Sequence, residues 1–278
     1  MILPVPYEAT TSWGAGTRAG PRAILEASGH LELYDEELDL EPHAAGIHTL
    51  PELELTHAGP EAAYVELHAA YTDLLSAAPD RFIVALGGEH SITPPMAAVW
   101  ADRLGDRLSV LQLDAHADLR DAYHGTRYGH ASAMRRVLDR TDRIVQVGIR
   151  SLTSEGRAVS RSRGLAMVLA NKVGTAGWVE TVVEALSDEV YLTFDLDFFD
   201  PSVIPATGTP EPGGATWWQA VELLRAVFSE RRVVAADVVE LAPRPGAEAS
   251  AFTAAKLVYK MIAYHGAGAP SGGDGSDG

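Results

Sequence analysis

The sequence predicts an α/β domain in which a parallel sheet carries helices on both faces. Three observations carry that prediction. Six short runs are almost continuously apolar, as strands covered on both faces must be. They alternate with longer segments of helical period, the pattern of parallel strands joined by crossover helices. Polar clusters follow directly on the apolar runs, where the carboxyl ends of parallel strands gather ligand-binding groups.

In chain order, strands are expected at residues 2–5, 81–86, 108–113, 143–147, 189–194 and 233–239. Helices are expected at 21–28, 61–77, 130–138, 174–186, 216–228 and 247–263. Pro21 suits the first turn of the first helix. Within 216–228, Trp217, Ala220, Val221, Leu224 and Phe228 recur at three and four, one face of a helix. Thr216 or Gly214 can begin it and Glu230 follows its end. No compositional break interrupts the pattern, so residues 1–265 read as one domain. The remainder, GAGAPSGGDGSDG at 266–278, is poor in apolar residues and is expected to be a disordered tail.

Composition narrows the partners. Asp and Glu number 38 against 22 Lys and Arg in 278 residues, a net charge of −16. Nucleic acid and an anionic membrane surface both require a positive face, so neither is expected to bind. The absence of cysteine excludes disulfides, thiolate metal sites and cysteine nucleophiles. No stretch approaches the roughly 20 apolar residues of a membrane span, and the N-terminus has no signal-peptide pattern. A cytoplasmic protein is expected.

The chemistry concentrates in four segments. Asp114, His116 and Asp118 alternate in LDAHAD and share a face while the chain stays extended, as do Asp195 and Asp197 in FDLD. Glu89 and His90 follow a Gly-Gly turn at a third strand end, and Glu240 follows the strand ending at Val239. Buried carboxylates and imidazoles at such density repel unless a cation pairs with them, at a cost of several kcal/mol per ion. Four carboxylates neutralise two divalent cations if more than one of them bridges. Hard oxygen donors with a minority of imidazole suit Mn²⁺, while zinc, cobalt, nickel and iron stay open on ligand type alone. Histidines 30, 43, 48, 57, 68, 124 and 265 lack such a setting and read as surface or packing residues.

GGEHS, LDAHADLRD, FDLDFFDPSVIPATGTPEPGG and ADVVELAP together resemble the ureohydrolases, the arginase and agmatinase relatives. The resemblance runs from about residue 3 to about residue 263. It implies a three-layer α/β/α sandwich with a mainly parallel central sheet, two Mn²⁺ ions, and a homo-oligomer of three or six chains. One metal would be held by His90, Asp114, Asp118 and Asp195, the other by His116, Asp114, Asp195 and Asp197, with Asp114 and Asp195 bridging. A water shared by two such ions is acidified toward neutral pH and can attack a guanidinium carbon, giving urea and an amine. Asp118 would orient that water, and His130, in YGHAS, matches the family's proton-shuttle histidine. Glu240, in DVVEL, matches a carboxylate that pairs with the guanidinium through both oxygens.

The substrate is less fixed. The loop LRDAYHGTRYGH lacks the Asn and Ser with which arginases hold an α-carboxylate, and it is closer in motif to agmatinase. Asp121 would meet the distal ammonium of agmatine or of a longer polyamine conjugate, or else be a solvated acid; Arg120 and Arg127 would suit a carboxylated guanidino acid. Agmatine to putrescine is the expected reaction. N1-aminopropylagmatine, guanidinobutyrate and arginine are alternatives, as is a catalytically silent regulatory homologue. Gly14–Ala19 matches a dinucleotide fingerprint with Asp35 downstream, but six residues separate it from its strand, which disfavours nicotinamide binding. No His-His pair marks a metal-dependent deacetylase, and no G-x-S-x-G marks a serine hydrolase.

Overall fold

A computed structural model describes residues 1–268. Among the described residues, seven strands form one sheet: β1 (Ile2–Val5), β2 (Ile83–Gly87), β3 (Leu108–Leu113), β4 (Ile144–Ile149), β5 (Ala166–Leu169), β6 (Glu189–Asp195) and β7 (Arg232–Val239). Their order is β1-β2-β7-β6-β3-β4-β5, and every neighbouring pair is parallel. All strand carboxyl ends therefore point one way, and β2, β7, β6 and β3 are consecutive neighbours.

Eight α-helices among the described residues flank the sheet: α1 (Gly20–Ser28), α2 (Pro60–Ala77), α3 (Thr93–Leu104), α4 (Ala133–Val137), α5 (Ser154–Arg163), α6 (Trp178–Ala185), α7 (Trp217–Glu230) and α8 (Glu248–Gly268). Ile24, Val182, Leu224 and Leu257 bring α1, α6, α7 and α8 against one face, with Leu86 and Leu192. Leu67, Met96 and Met134 bring α2, α3 and α4 against the other, with Val110 and Ala235. Two apolar cores separated by one sheet make the three-layer α/β/α sandwich that the resemblance implies.

The differences from expectation have local causes. Strand β5 and helices α3 and α5 are absent from the sequence-based expectation. β5 is a four-residue edge strand, half-buried along its whole length; its AMVL run is apolar, but so short a run is not told from a helix segment by periodicity. The pair Pro94-Pro95 in α3 occupies the first helical turn, where no amide hydrogen is needed. Helix α6 is shorter than 174–186 because Gly174 and Gly177 take φ of +82° and +78° ahead of it. Helix α7 begins as expected, with a reciprocal capping box between Thr216 and Gln219. The tail expected from 266 is corrected at its start, since Gly266–Gly268 continue the last turn of α8. Gly268 lies so close to the Phe228 carbonyl that a Cβ would stand 2.6 Å from it. The rest of that tail, 269–278, lies outside the described residues.

Candidate active site

Each segment of the site leaves the sheet at the carboxyl end of one of four adjacent strands. His90 follows β2, Asp114, His116 and Asp118 follow β3, Asp195 ends β6 with Asp197 in the next turn, and Glu240 follows β7. The Gly-Gly turn before His90 is obligatory at its second position. A Cβ on Gly88 would meet the Tyr7 carbonyl oxygen at 2.0 Å, so only glycine lets β2 pass the end of β1. Asp118 and Glu240 adopt positive φ, +51° and +68°, which costs a non-glycine residue of order 1–3 kcal/mol and persists where the surroundings impose it. Backbone bonds hold both residues: the Asp118 carbonyl accepts the Arg135 amide at 2.9 Å, and the Glu240 amide donates to the Gly88 carbonyl at 2.8 Å.

The six expected ligands come together. His90 Nδ1 is buried without a hydrogen-bond partner and lies 3.1 Å from Asp114 Oδ2, 3.1 Å from Asp118 Oδ2 and 3.3 Å from Asp195 Oδ2. His116 Nδ1 lies 2.9 Å from Asp197 Oδ2 and 3.6 Å from Asp114 Oδ1. Two groups of donors result, His90–Asp114–Asp195 and Asp114–His116–Asp197, sharing Asp114. Local hydrogen bonds fix the claw: His116 N–H donates to Asp114 Oδ1, Ala115 N–H to Asp197 Oδ1 at 3.0 Å, and Asp197 N–H to Asp195 Oδ1 at 2.9 Å. Gln112, two residues before Asp114 on the same strand face, donates to Asp114 Oδ2 at 2.6 Å.

Burial and mutual repulsion dominate the electrostatics. Burial, then the charges of Asp197 and Asp114, hold Asp195 well above the usual carboxylate range. Burial raises Asp118 and Asp197 as well, with Asp114 as the repelling neighbour of each. Burial also works against Asp114, but His116 and His90 overcome it and keep that carboxyl low. Burial disfavours a charged imidazole, yet the carboxylates outweigh it, pushing His90 well up and His116 up to about 12. A group of acids and imidazoles that can ionise only by sharing protons suits divalent cations, and an orphaned buried Nδ1 amid carboxylate oxygens has the donor chemistry to bind one.

Beside these donors lies a cavity of about 250 Å³ lined by His116, Asp118, His130, Asp195, Thr209 and Glu240, with Ser12, Arg120 and Tyr123 among its further walls. Glu240 Oε1 accepts the His90 amide at 2.7 Å and stands 3.5 Å from His130 Nδ1. His130 Nε2 is buried without a partner. Burial lowers this imidazole, but Glu240, Asp118 and Glu89 outweigh it and raise it to about 9.

Two expectations change. Asp121 does not line the cavity, and its Oδ1 is taken by Arg127 at 3.1 Å and Arg136 at 2.9 Å, so its charge is spent on neighbouring guanidinium groups rather than offered to a ligand. Glu89 turns away from the ligands. It accepts the Ala9 and Thr10 amides and the Thr10 and Ser91 hydroxyls, and Thr10 Oγ1 accepts the His130 amide at 3.0 Å, so Glu89 anchors the loop on which His130 rests.

Several supporting residues have no motif of their own. Arg150, after β4, donates to the carbonyls of Asp197 at 2.6 Å and Glu211 at 2.8 Å, clamping the Asp197 turn to the loop that carries Thr209. Gln112, Thr193 and Asp237 are fully buried polar residues inside apolar strands, and that conflict with their surroundings is the one signal the sequence offers for them.

The family model described as "Arginase family" matches residues 1–263. The chain belongs to the arginase family. Among relatives within it, the N(1)-aminopropylagmatine ureohydrolase of Synechocystis sp. is 36% identical, over 96% of this chain and 89% of its own. A protein of the same description from Thermus thermophilus is 39% identical, over 96% and 90%. The agmatinase of Pyrococcus horikoshii is 32% identical, over 94% and 90%. Among solved structures, the agmatine ureohydrolase of Thermoplasma volcanium superposes with a TM-score of 0.85 at 29% identity, covering 95% of this chain and 89% of that one. An arginase from Bacillus subtilis superposes at 0.77 with 23% identity, covering 94% and 97%, and so shares the arginase-family fold. No helix among the described residues is long and apolar enough to cross a membrane.

Proposed function

We propose that this arginase-family chain is a ureohydrolase that adds water across a guanidinium C–N bond, releasing urea and a primary amine. The observation that carries the reading is the convergence of two donor groups sharing Asp114 on one cavity with Glu240 and His130. His90, Asp114, Asp118 and Asp195 would hold one divalent cation, and His116, Asp114, Asp195 and Asp197 the other, manganese being the metal proposed. Such a pair supplies the Lewis acidity that makes water a usable nucleophile near neutral pH.

The chain's own residues do the rest. Glu240 draws the guanidinium in by charge and hydrogen bonding, setting its planar carbon against the donor groups. Asp118 accepts a hydrogen bond from the attacking water and aims it. Addition makes the carbon tetrahedral; its C–N bond to the alkyl chain then breaks, and the leaving nitrogen takes a proton. His130, with Nε2 free and Nδ1 beside Glu240, is placed to supply that proton.

The proposed substrate is a guanidino-amine, agmatine giving putrescine. A second reading, N1-aminopropylagmatine, is supported by the relatives of 36% and 39% identity that carry its name. Retention of all six ligands argues against a silent regulatory homologue. The family resemblance supports a homo-oligomer of three or six chains, and the cysteine-free composition is consistent with a cytoplasmic location. Urea release from a panel of agmatine, N1-aminopropylagmatine, guanidinobutyrate and arginine, with Mn²⁺ added, tests the reading. One of the two amines is expected to give the highest kcat/KM; no urea from any member would refute it.

A further inference from the structure

Behind the donor groups, on the side away from the cavity, His90 is backed by a fully buried polar relay. His90 Nε2 lies 2.9 Å from Thr193 Oγ1, and Thr193 Oγ1 donates to Asp237 Oδ1 at 2.6 Å. The other carboxylate oxygen, Asp237 Oδ2, accepts the Tyr191 hydroxyl at 2.7 Å and the Thr93 hydroxyl at 2.9 Å. Thr93, Thr193, Tyr191 and Asp237 are all fully buried, and none lines the cavity. The sheet builds this arrangement: Thr193 on β6 and Asp237 on β7 are register partners, and Thr193 shares a strand face with Asp195 two residues on.

We propose that Thr193 and Asp237 are positioning residues that fix the His90 tautomer, leaving Nδ1 as a bare lone pair for a divalent cation. A hydroxyl has one hydrogen. Thr193 gives its hydrogen to Asp237, whose second oxygen is already filled by Tyr191 and Thr93. Only lone pairs of Thr193 then face His90, so Nε2 carries a hydrogen, and in the neutral imidazole, the form that ligates a cation, Nδ1 carries none. That is the nitrogen lying 3.1–3.3 Å from three carboxylates with no hydrogen-bond partner. Partners of this kind orient a ligating histidine and raise its basicity, and losing one weakens metal affinity about 10–100-fold. The proposal rests on the metal-centre reading above.

The experiment titrates chelator-stripped protein with Mn²⁺, following bound ion by electron paramagnetic resonance. Wild type is expected to take two equivalents; if it takes none, the proposal falls together with the metal-centre reading. In Thr193→Val, one equivalent is expected to weaken about 10–100-fold while the other holds. Thr193→Ser, which keeps the hydroxyl, is expected to restore it. Asp237→Asn is expected to weaken the same equivalent at least as much. Its amide oxygen belongs opposite Tyr191 and Thr93, so its NH₂ faces Thr193, reverses that hydroxyl and drives the imidazole hydrogen onto Nδ1.

Combining Thr193→Val with His90→Ala separates tautomer control from general damage. In that background, which has already lost the site, Thr193→Val should change the remaining equivalent no further. Wild-type binding with unchanged affinities in Thr193→Val and Asp237→Asn would overturn the proposal alone. Equal weakening of both equivalents, or a further loss in the His90→Ala background, would overturn it too.

Discussion

Replacing Glu240 by Gln removes one negative charge while keeping the side chain's shape. Oε1 accepts the His90 amide at 2.7 Å. The Gln carbonyl takes over that bond and leaves the amide nitrogen where Oε2 stood, so a donor now meets the donors of a guanidinium. A hydrogen bond to a charged group contributes about 1.5–3 kcal/mol. At 1.36 kcal/mol per tenfold, kcat/KM should fall about 10–150-fold. The guanidinium is cationic before it reacts, so the lost interaction belongs to binding and the change should sit mainly in KM. Bound metal should remain, because the hydrogen bond Glu240 accepts from a donor residue comes from the His90 backbone amide, which Gln also satisfies. Steady-state urea release across a range of agmatine, with metal analysis of the same preparation, measures both. A kcat/KM within a factor of about three of wild type, with both metals in place, would remove Glu240 from substrate recognition.

Asp114→Ala and Asp195→Ala should each lose bound cation together with urea release, because Asp114 belongs to both donor groups and Asp195 lies between His90 and Asp197. Full occupancy of both metals in either variant would contradict that. His130→Ala should keep both metals and lose about 10²–10⁴-fold in turnover, the usual contribution of a positioned acid; unchanged turnover near neutral pH would exclude it. Far from the site, Lys260 is buried between Asp35 Oδ1 at 2.9 Å and Glu37 Oε2 at 3.0 Å, tying α8 to the loop after α1. Lys260→Met strands a buried carboxylate and should cost about 3 kcal/mol in denaturant unfolding, a loss below about 1 kcal/mol counting against the pair. Burial opposes ionisation of Asp35 and Glu37, but Lys260 for Asp35, and Tyr264 with Lys260 for Glu37, overcome it and lower both pKa values. Their stabilisation is therefore complete above the ordinary carboxylate range and lost as pH falls through the lowered folded values. The Lys260→Met defect should accordingly shrink in acid; a defect that grew on acidification would reverse the sign of the argument.

The sequence by itself determined the sheet's central strands and the acidic and imidazole residues that gather at their carboxyl ends. Strands buried on both faces are apolar nearly throughout, and Asp114, His116 and Asp118 follow one strand end within five residues, so both facts are written in consecutive residues. Tertiary structure alone decided what depends on groups distant in the chain. Edge strand β5 is apolar but only four residues long and half-buried, so its pairing with β4 is what defines it as a strand. Asp121 reads in sequence as a substrate contact or a solvated acid; Arg127 of its own loop pairs with it, and Arg136 joins when α4 packs beside that loop. Glu89 sits next to a ligand yet serves Ala9 and Thr10, about 80 residues away. Thr193 and Asp237 gain their meaning from the β6–β7 register, which sets them side by side behind His90. Local spacing fixes the direction in which a side chain points, whereas its partner is fixed by how the strands are ordered and which helices close over them.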